Sequence, residues 1–349
     1  MSRVEILVVG SGLGGLASAF ALRRAGHQVA LVDAGDEGDT GVAAVPPWQM
    51  PASIERMARY SGKLLPELVA ELGQATGVDC EIHESALLLI GEQLEEAAEW
   101  LEQHQHEFSR GSVSEFEPGL AGGDGNAVQV RIPHRVRPSR LARALAFALP
   151  QSGVSIIRDS SVRRLDVAGN IVLGAELSDG RRVRSESVVL AAGARTNPLL
   201  FDSGLERLSV DPFQTTHLLF NPGQRLIGQV IHCGDCCLAP LADGRLMAVD
   251  LTAGQECEKT AIEDLYARVS NWLPALSRFD LENIGLGPKP GLETGLPAIG
   301  AYPQMRGLWI NAGHLRRGLE ICLAAGELLA DQLGGAAPVP ELVCRFESR

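Results

Sequence analysis

Positive charge is in short supply. The 349-residue chain has 31 lysines and arginines against 43 aspartates and glutamates, a net charge of −12 and a pI near 5.2. Such a chain repels phosphate backbones, which argues against nucleic acid as a partner. Long apolar runs are missing too. No stretch reaches the ~18 uninterrupted apolar residues of a membrane helix. Ile6 to Leu22, after Arg3 and ending in Ala19-Phe20-Ala21, loosely imitates a signal peptide, but Glu5 and four glycines spoil it. Glycine (39) and proline (19) are too few for a low-complexity or collagen-like sequence. Cysteine is sparse and odd in number. Seven thiols suit reduced side chains in a cytoplasmic protein better than a disulfide framework. No internal repeat is present. The remainder is ordinary globular sequence, 45% hydrophobic and 21% charged. At ~150 residues per domain the length suggests about two domains.

The order of elements points to a mixed α/β chain. Val4 to Val9 is a β-branched run typical of a buried strand. Leu13 to Ala25 carries small and apolar residues at helical spacing, and Gly26 stops it. Gln28 to Val32 is a second strand ending at Asp33. An irregular stretch follows over 35–51. Residues 53–73 and Glu92 to Glu107 read as amphipathic helices, the second with a stripe of Leu94, Ala98 and Leu101. Glu81 to Ile90 reads as a strand between them. Pro138 to Leu149 is a helix opened by proline. Val154 to Ile157, Val162 to Val167, Ile171 to Leu177 and Ser187 to Ala191 are strands, with a hairpin turn at Ser178-Asp179-Gly180. His217 to Phe220, Gly228 to His232 and Leu246 to Leu251 are further strands. Thr260 to Trp272 is a helix, Gly307 to Asn311 a strand, and Leu319 to Leu333 a helix ended by Gly334-Gly335.

Gly10, Gly12 and Gly15 form a GxGxxG motif between the first strand and first helix, and Asp33 follows 18 residues after Gly15. The glycines allow a tight turn, close approach to a pyrophosphate and close helix packing. The helix N-terminus offers free N–H groups to negative charge, and Asp33 can accept hydrogen bonds from a ribose hydroxyl. An acid there would repel a 2′-phosphate. This much fits either NAD or FAD.

Later segments separate the two. Glu186 to Ala194 (ESVVLAAGA), Ala239 to Leu246 (APLADGRL), Pro288 to Gly300 (PKPGLETGLPAIG) and Asn311 to Leu319 (NAGHLRRGL) resemble, in order and spacing, blocks of the glycine oxidase and D-amino acid oxidase superfamily. The resemblance covers nearly the whole chain. It implies a discontinuous FAD-binding, Rossmann-like domain over 1–45, 132–204 and 291–349. A second α+β substrate domain on a mixed or antiparallel sheet would be built from 46–131 and 205–290. It implies FAD contacts from Gly10, Gly12, Leu13, Gly14, Gly15, Asp33, Ala34, Val162, Ala192, Gly193, Gly313, His314, Leu315, Arg317, Gly318 and Leu319. Arg316 matches the family arginine that binds a substrate carboxylate. Lys289 stands where a second arginine is usual, and keeps charge without the bidentate fork. Cys237 falls near a substrate-facing tyrosine, and Val42-Ala43-Ala44-Val45 replaces a flavin-contacting SSxxxG turn.

The activity so implied is oxidation of a small amine or amino acid. A hydride passes from the amine-bearing carbon to the flavin, the imine hydrolyses to an oxo acid and ammonia, and dioxygen is reduced to peroxide. A same-family dehydrogenase passing electrons to a partner is one alternative. A flavin-binding interaction protein without turnover is another.

Two clusters lie outside these motifs. His232-Cys233-Gly234-Asp235-Cys236-Cys237 contains a CxxC, but structural zinc needs two more ligands and no second CxxC exists. Ordinary buried thiols are expected there, with no metal. Arg131, His134, Arg135, Arg137, Arg140 and Arg143 form a basic patch in an acidic chain. It reads as a solvated face or as a docking surface for an acidic partner or second copy.

Overall fold

The β-branched run at the N-terminus forms the middle of a sheet. The computed structural model describes residues 3–35, 46–208, 210–251, 258–292, 296–303 and 305–335. Strands β15 (Ala298–Ala301), β16 (Leu308–Ala312), β9 (Arg182–Leu190), β1 (Arg3–Val9), β2 (Val29–Val32) and β6 (Ser155–Ile157) lie side by side in that order. All neighbours are parallel except β15 and β16. An antiparallel ribbon of β7 (Val162–Ala168) and β8 (Ile171–Leu177) joins through β9.

Both faces of this sheet are covered, as parallel strands require. Ile6 and Val8 of β1 point into one core, with α1 (Leu13–Arg24), α2 (Ala52–Thr76), α5 (Pro138–Gln151) and α8 (Gly318–Leu333). Leu7 and Val9 point into the other, with the β7–β8 ribbon and α6 (Thr196–Asp202). Gly326 sits where α8 crosses α1. A Cβ there would lie 2.7 Å from the Ala17 carbonyl oxygen, so only glycine permits this approach.

The second sheet runs β14 (Leu281–Leu292), β10 (Val210–Phe220), β13 (Leu246–Asp250), β12 (Cys236–Pro240), β11 (Val230–Cys233), β3 (His83–Ile90), β5 (Asn126–Arg135) and β4 (Phe108–Ser112). Only β3 and β11 are parallel within it. One face packs on α7 (Glu258–Trp272). Across the other lie Trp48 of the Pro47–Gln49 turn and α3 (Leu94–Gln103). The short α4 (Val113–Phe116) starts with a capping box between Ser112 and Glu115.

Several elements differ from the sequence reading. The helix expected over Glu92 to Glu107 ends at Gln103, because Gln105 takes a left-handed backbone (φ 56°) and Phe108 onward pairs with β5. Strand β5 carries Pro133, normally a strand breaker. It lies past Val130, where pairing with β4 ends, so only one neighbour is left to serve. Strand β14 contains Pro288 and Pro290 and, among the described residues, is an edge strand paired only with β10. The signal-like run Ile6 to Leu22 is the strand, turn and helix of the first βαβ unit.

Candidate active site

The glycine turn lies at the C-terminal end of β1, where parallel sheets place their ligands. Each glycine has a separate reason. A Cβ at Gly10 (φ 111°) would strike the Ala191 carbonyl, and one at Gly15 would strike the Gly10 carbonyl. A Cβ at Gly12 meets nothing within 4 Å, so the turn is open on that side. Helix α1 starts without a side-chain cap, and its first backbone bond is Leu16 N–H to the Gly12 carbonyl. The N–H groups of Leu13, Gly14 and Gly15 precede that bond and, as in any first helical turn, have no acceptor within the helix.

Asp33 ends β2 beside this turn. Its Oδ1 accepts from Ser11 Oγ at 2.6 Å and from the Gly35 N–H at 3.0 Å. Its Oδ2 has no partner among the described residues. Ala34 follows it, exposed. The Ser160 N–H donates to the Asp33 carbonyl, which brings the start of β7 to the same rim. Val162 there is buried in the sheet core. Ala191 donates its N–H to the Val9 carbonyl, so Ala191 and Ala192 lie directly against Gly10 and Gly193 follows them.

The turn after β16 arrives from the far end of the chain. Gly313 and Leu315 have φ of 79° and 50°. A left-handed leucine is strained, and such strain collects at functional sites. The Arg317 N–H closes the turn on the His314 carbonyl, and Gly318 and Leu319 open α8. His314 Nε2 lies 2.6 Å from Asn311 Oδ1, and Asn311 Nδ2 reaches the Gly14 carbonyl at 3.1 Å and Ser18 Oγ at 2.8 Å. Burial pushes the His314 imidazole down to about 4. Arg317 Nη2 donates to the Gln49 carbonyl at 2.9 Å.

Arg316 is different. Its Nε is buried with no hydrogen-bond partner, and no ion pair among the described residues reaches its guanidinium. Burial lowers its pKa, while the charges of Asp250 and Asp235 oppose that shift. Asp250 is already held by Arg268 at 2.7 Å. Asp250 pairs with Cys236 in the ladder, and the Leu251 N–H donates to the Asp235 carbonyl. Arg316 is thus a half-buried cation near the end of the second sheet, without an ion-pair partner among the described residues.

The other expected site residues are placed less directly. Cys237 is fully buried among Leu87, Val230, Ala239 and Val249. Cys233 and Cys236 belong to the opposite face, under α7. Adjacent Cys236 and Cys237 therefore point apart, and no group of three metal-ligating side chains occurs among the described residues. Lys289 lies on β14 opposite Phe213, but its side chain is outside the described residues, as are residues 42–45. The basic patch is largely neutralised within the chain. Arg131 pairs with Glu84, Arg140 with Glu81, and Arg137 with Glu81 and Asp243; Arg135 is buried against the Pro240 carbonyl.

Comparison with known proteins decides the family. The model of the DAO family, described as FAD dependent oxidoreductase, matches residues 5–332. The chain belongs to this family of FAD-dependent oxidoreductases. A glycine oxidase of Pseudomonas aeruginosa is 31% identical over 96% of both chains. The crystal structure of a Bacillus cereus glycine oxidase superposes with a TM-score of 0.85 at 23% identity, covering 99% of this chain and 100% of that one. An L-proline dehydrogenase from P. horikoshii shares the fold at a TM-score of 0.85 and 18% identity, covering 97% and 96%.

The site suits the family's cofactor. An open glycine turn, a helix start without a side-chain cap and a carboxylate oxygen with no partner among the described residues match a pyrophosphate and a ribose. Ser11, Ser18, Asn311 and Gln49 were not anticipated. Ser11 occupies an unspecified position of the motif, and the other three act through contacts distant in sequence. No described helix is long and apolar enough to cross a membrane.

Proposed function

We propose that this FAD-dependent oxidoreductase oxidises a small amine or amino acid that carries a carboxylate. The observation that carries this reading is Arg316, a half-buried guanidinium whose Nε has no partner. A substrate carboxylate would supply the missing acceptor in a bidentate grip. The glycine oxidase names of relatives across nearly the full chain support the same substrate class.

When bound, FAD supplies the two-electron acceptor. The chain's own residues bind and orient. The Leu13, Gly14 and Gly15 N–H groups would hold the pyrophosphate, and Asp33 Oδ2 a ribose hydroxyl. Arg316 would fix the carboxylate so that the amine-bearing carbon is held in one orientation. Lys289 is proposed as a secondary positive charge. We assign cofactor binding to the first sheet with its helices and substrate binding to the inner face of the second.

An anaerobic screen tests this reading. Glycine, sarcosine, D-amino acids, proline derivatives and polyamines are each added to the yellow protein and flavin bleaching is followed. A small carboxylate-bearing amine should bleach it. Arg316→Leu should lower kcat/KM for that substrate by roughly 2–4 kcal/mol, on the order of thirty- to a thousandfold, with FAD content retained. A best substrate lacking a carboxylate would overturn the reading, as would loss of FAD before loss of substrate. Peroxide yield against dye reduction then separates an oxidase from a dehydrogenase.

A further inference from the structure

We infer that Asn311 is a positioning residue: it fixes His314 as the neutral Nε2–H tautomer and locks the 313–318 turn onto the glycine turn of α1. The inference does not depend on which substrate is oxidised.

The assignment follows from what each atom can donate. The Gly14 carbonyl can only accept, so the Asn311 atom 3.1 Å from it is the amide nitrogen. The same nitrogen donates to Ser18 Oγ at 2.8 Å, and Ser18 in turn gives its own proton to the Gly14 carbonyl at 2.7 Å. Asn311 Oδ1 therefore faces His314 Nε2 at 2.6 Å. An amide oxygen has no proton to give, so Nε2 must carry one. Nδ1 is left as the bare nitrogen of a neutral ring. The amide cannot flip without facing Oδ1 to the Gly14 carbonyl, because Asn311 is 2% and Ser18 0% exposed.

Burial favours the neutral form of the ring. Among the described residues, the segments that meet the ring at Gly14 and Asn311, residues 12–18 and Leu308 to Ala312 of β16, contain no ionisable side chain. The turn itself carries Arg316 and Arg317, with Glu320 one position beyond α8's second residue. A protonated His314 would be a third cation within four residues. An asparagine at 311 accepts from the ring without stabilising that charge, whereas an aspartate would stabilise it.

The arrangement also explains a glycine that the GxGxxG pattern leaves unspecified. A Cβ on Gly14 would lie 2.9 Å from His314 Cε1 and 3.4 Å from Asn311 Nδ2. The imidazole is seated on the bare backbone of the cofactor turn. Residues almost 300 positions apart thus set one geometry.

The test uses holoenzyme labelled with 15N-histidine, with His314→Gln to assign the signal. Two-bond proton–nitrogen correlations should show the Nε2–H tautomer, unchanged from pH 5.5 to 9. In Asn311→Asp, His314 should take up a second proton within that range, and the flavin midpoint potential should move positive below its pKa. Gly14→Ala should perturb the His314 signal and weaken FAD binding about tenfold, and Gly14→Ser should do so at least as strongly. An Nδ1–H tautomer in the wild type would overturn the inference. So would a wild-type His314 that titrates near its ordinary value, or an Asn311→Asp protein with unchanged tautomer and potential.

Discussion

Asp33 spends one carboxylate oxygen on its own chain and leaves the other open. Removing the side chain should cost one charge-assisted hydrogen bond to FAD, about 1.5–3 kcal/mol, or roughly ten- to a hundredfold in affinity by flavin fluorescence titration. Asp33→Ala binding FAD as tightly as the wild type would show that the open oxygen faces no ribose. His314 makes a second prediction, in stability. Its folded pKa is pushed down to about 4 by burial, below the ordinary value for a free imidazole. The unfolded chain then binds the extra proton first, so stability falls as pH drops from about 6.5 to about 4. Wild-type Tm should decline more steeply across that window than Tm of His314→Gln. Much of this scale was legible beforehand. Gly10, Gly12, Gly15 and Asp33 announce themselves by spacing alone. Ser18 and Asn311 do not, because their role is a contact between segments whose separation no local pattern records. Nor could sequence show that Arg316 Nε is buried without a hydrogen-bond partner, since that is a property of everything around it.

At the scale of elements, legibility followed how much each segment's burial is local. Ile6 to Val9 of β1 and Val188 to Leu190 of β9 are buried on both faces and read as continuous apolar runs. Helices α2 and α5 show one apolar stripe. Strands β5 and β14 were missed because their prolines contradict a strand locally, and only their place at a sheet edge or past a neighbour's end permits them. The α1–α8 crossing is likewise invisible in either helix alone. Its requirement is Gly326 against the Ala17 backbone, at 2.7 Å from the carbonyl oxygen and 3.0 Å from its carbon. Backbone cannot retreat as a side chain can. Gly326→Val should therefore push α8 away and destabilise by about 1–3 kcal/mol, read as a lower Tm. FAD affinity should fall with it, because α1 carries the glycine turn and α8 the His314 turn. A Gly326→Val protein with unchanged Tm would mean that the two helices do not meet this closely.

Across the whole molecule, the first sheet is assembled from the two ends and the middle of the chain. Strand β1 pairs with β2 within 32 residues, but its other neighbour is β9, and β9 in turn pairs with β16 at residue 308. Helix α8 buries Ile321, Leu323, Leu328 and Leu329 in the core that holds α1, α2 and α5. Four such side chains contribute about 6–12 kcal/mol at ~1.5–3 kcal/mol each. That equals the entire net stability of a typical domain, about 5–15 kcal/mol. The N-terminal glycine turn also loses its His314 and Asn311 partners if the last segment is missing. A chain ending at residue 297 lacks β15, β16 and α8 together. It should show no cooperative thermal transition and bind no FAD, even though the GxGxxG turn and Asp33 are both present. The cofactor site would then be completed only when the C-terminal segment docks, so FAD added during refolding of the full chain should be captured after the first sheet closes and not before. Calorimetry and flavin absorbance of the 1–297 chain check this. A cooperative, yellow fragment would show that the glycine turn and its βαβ unit bind FAD without the segment that packs on them.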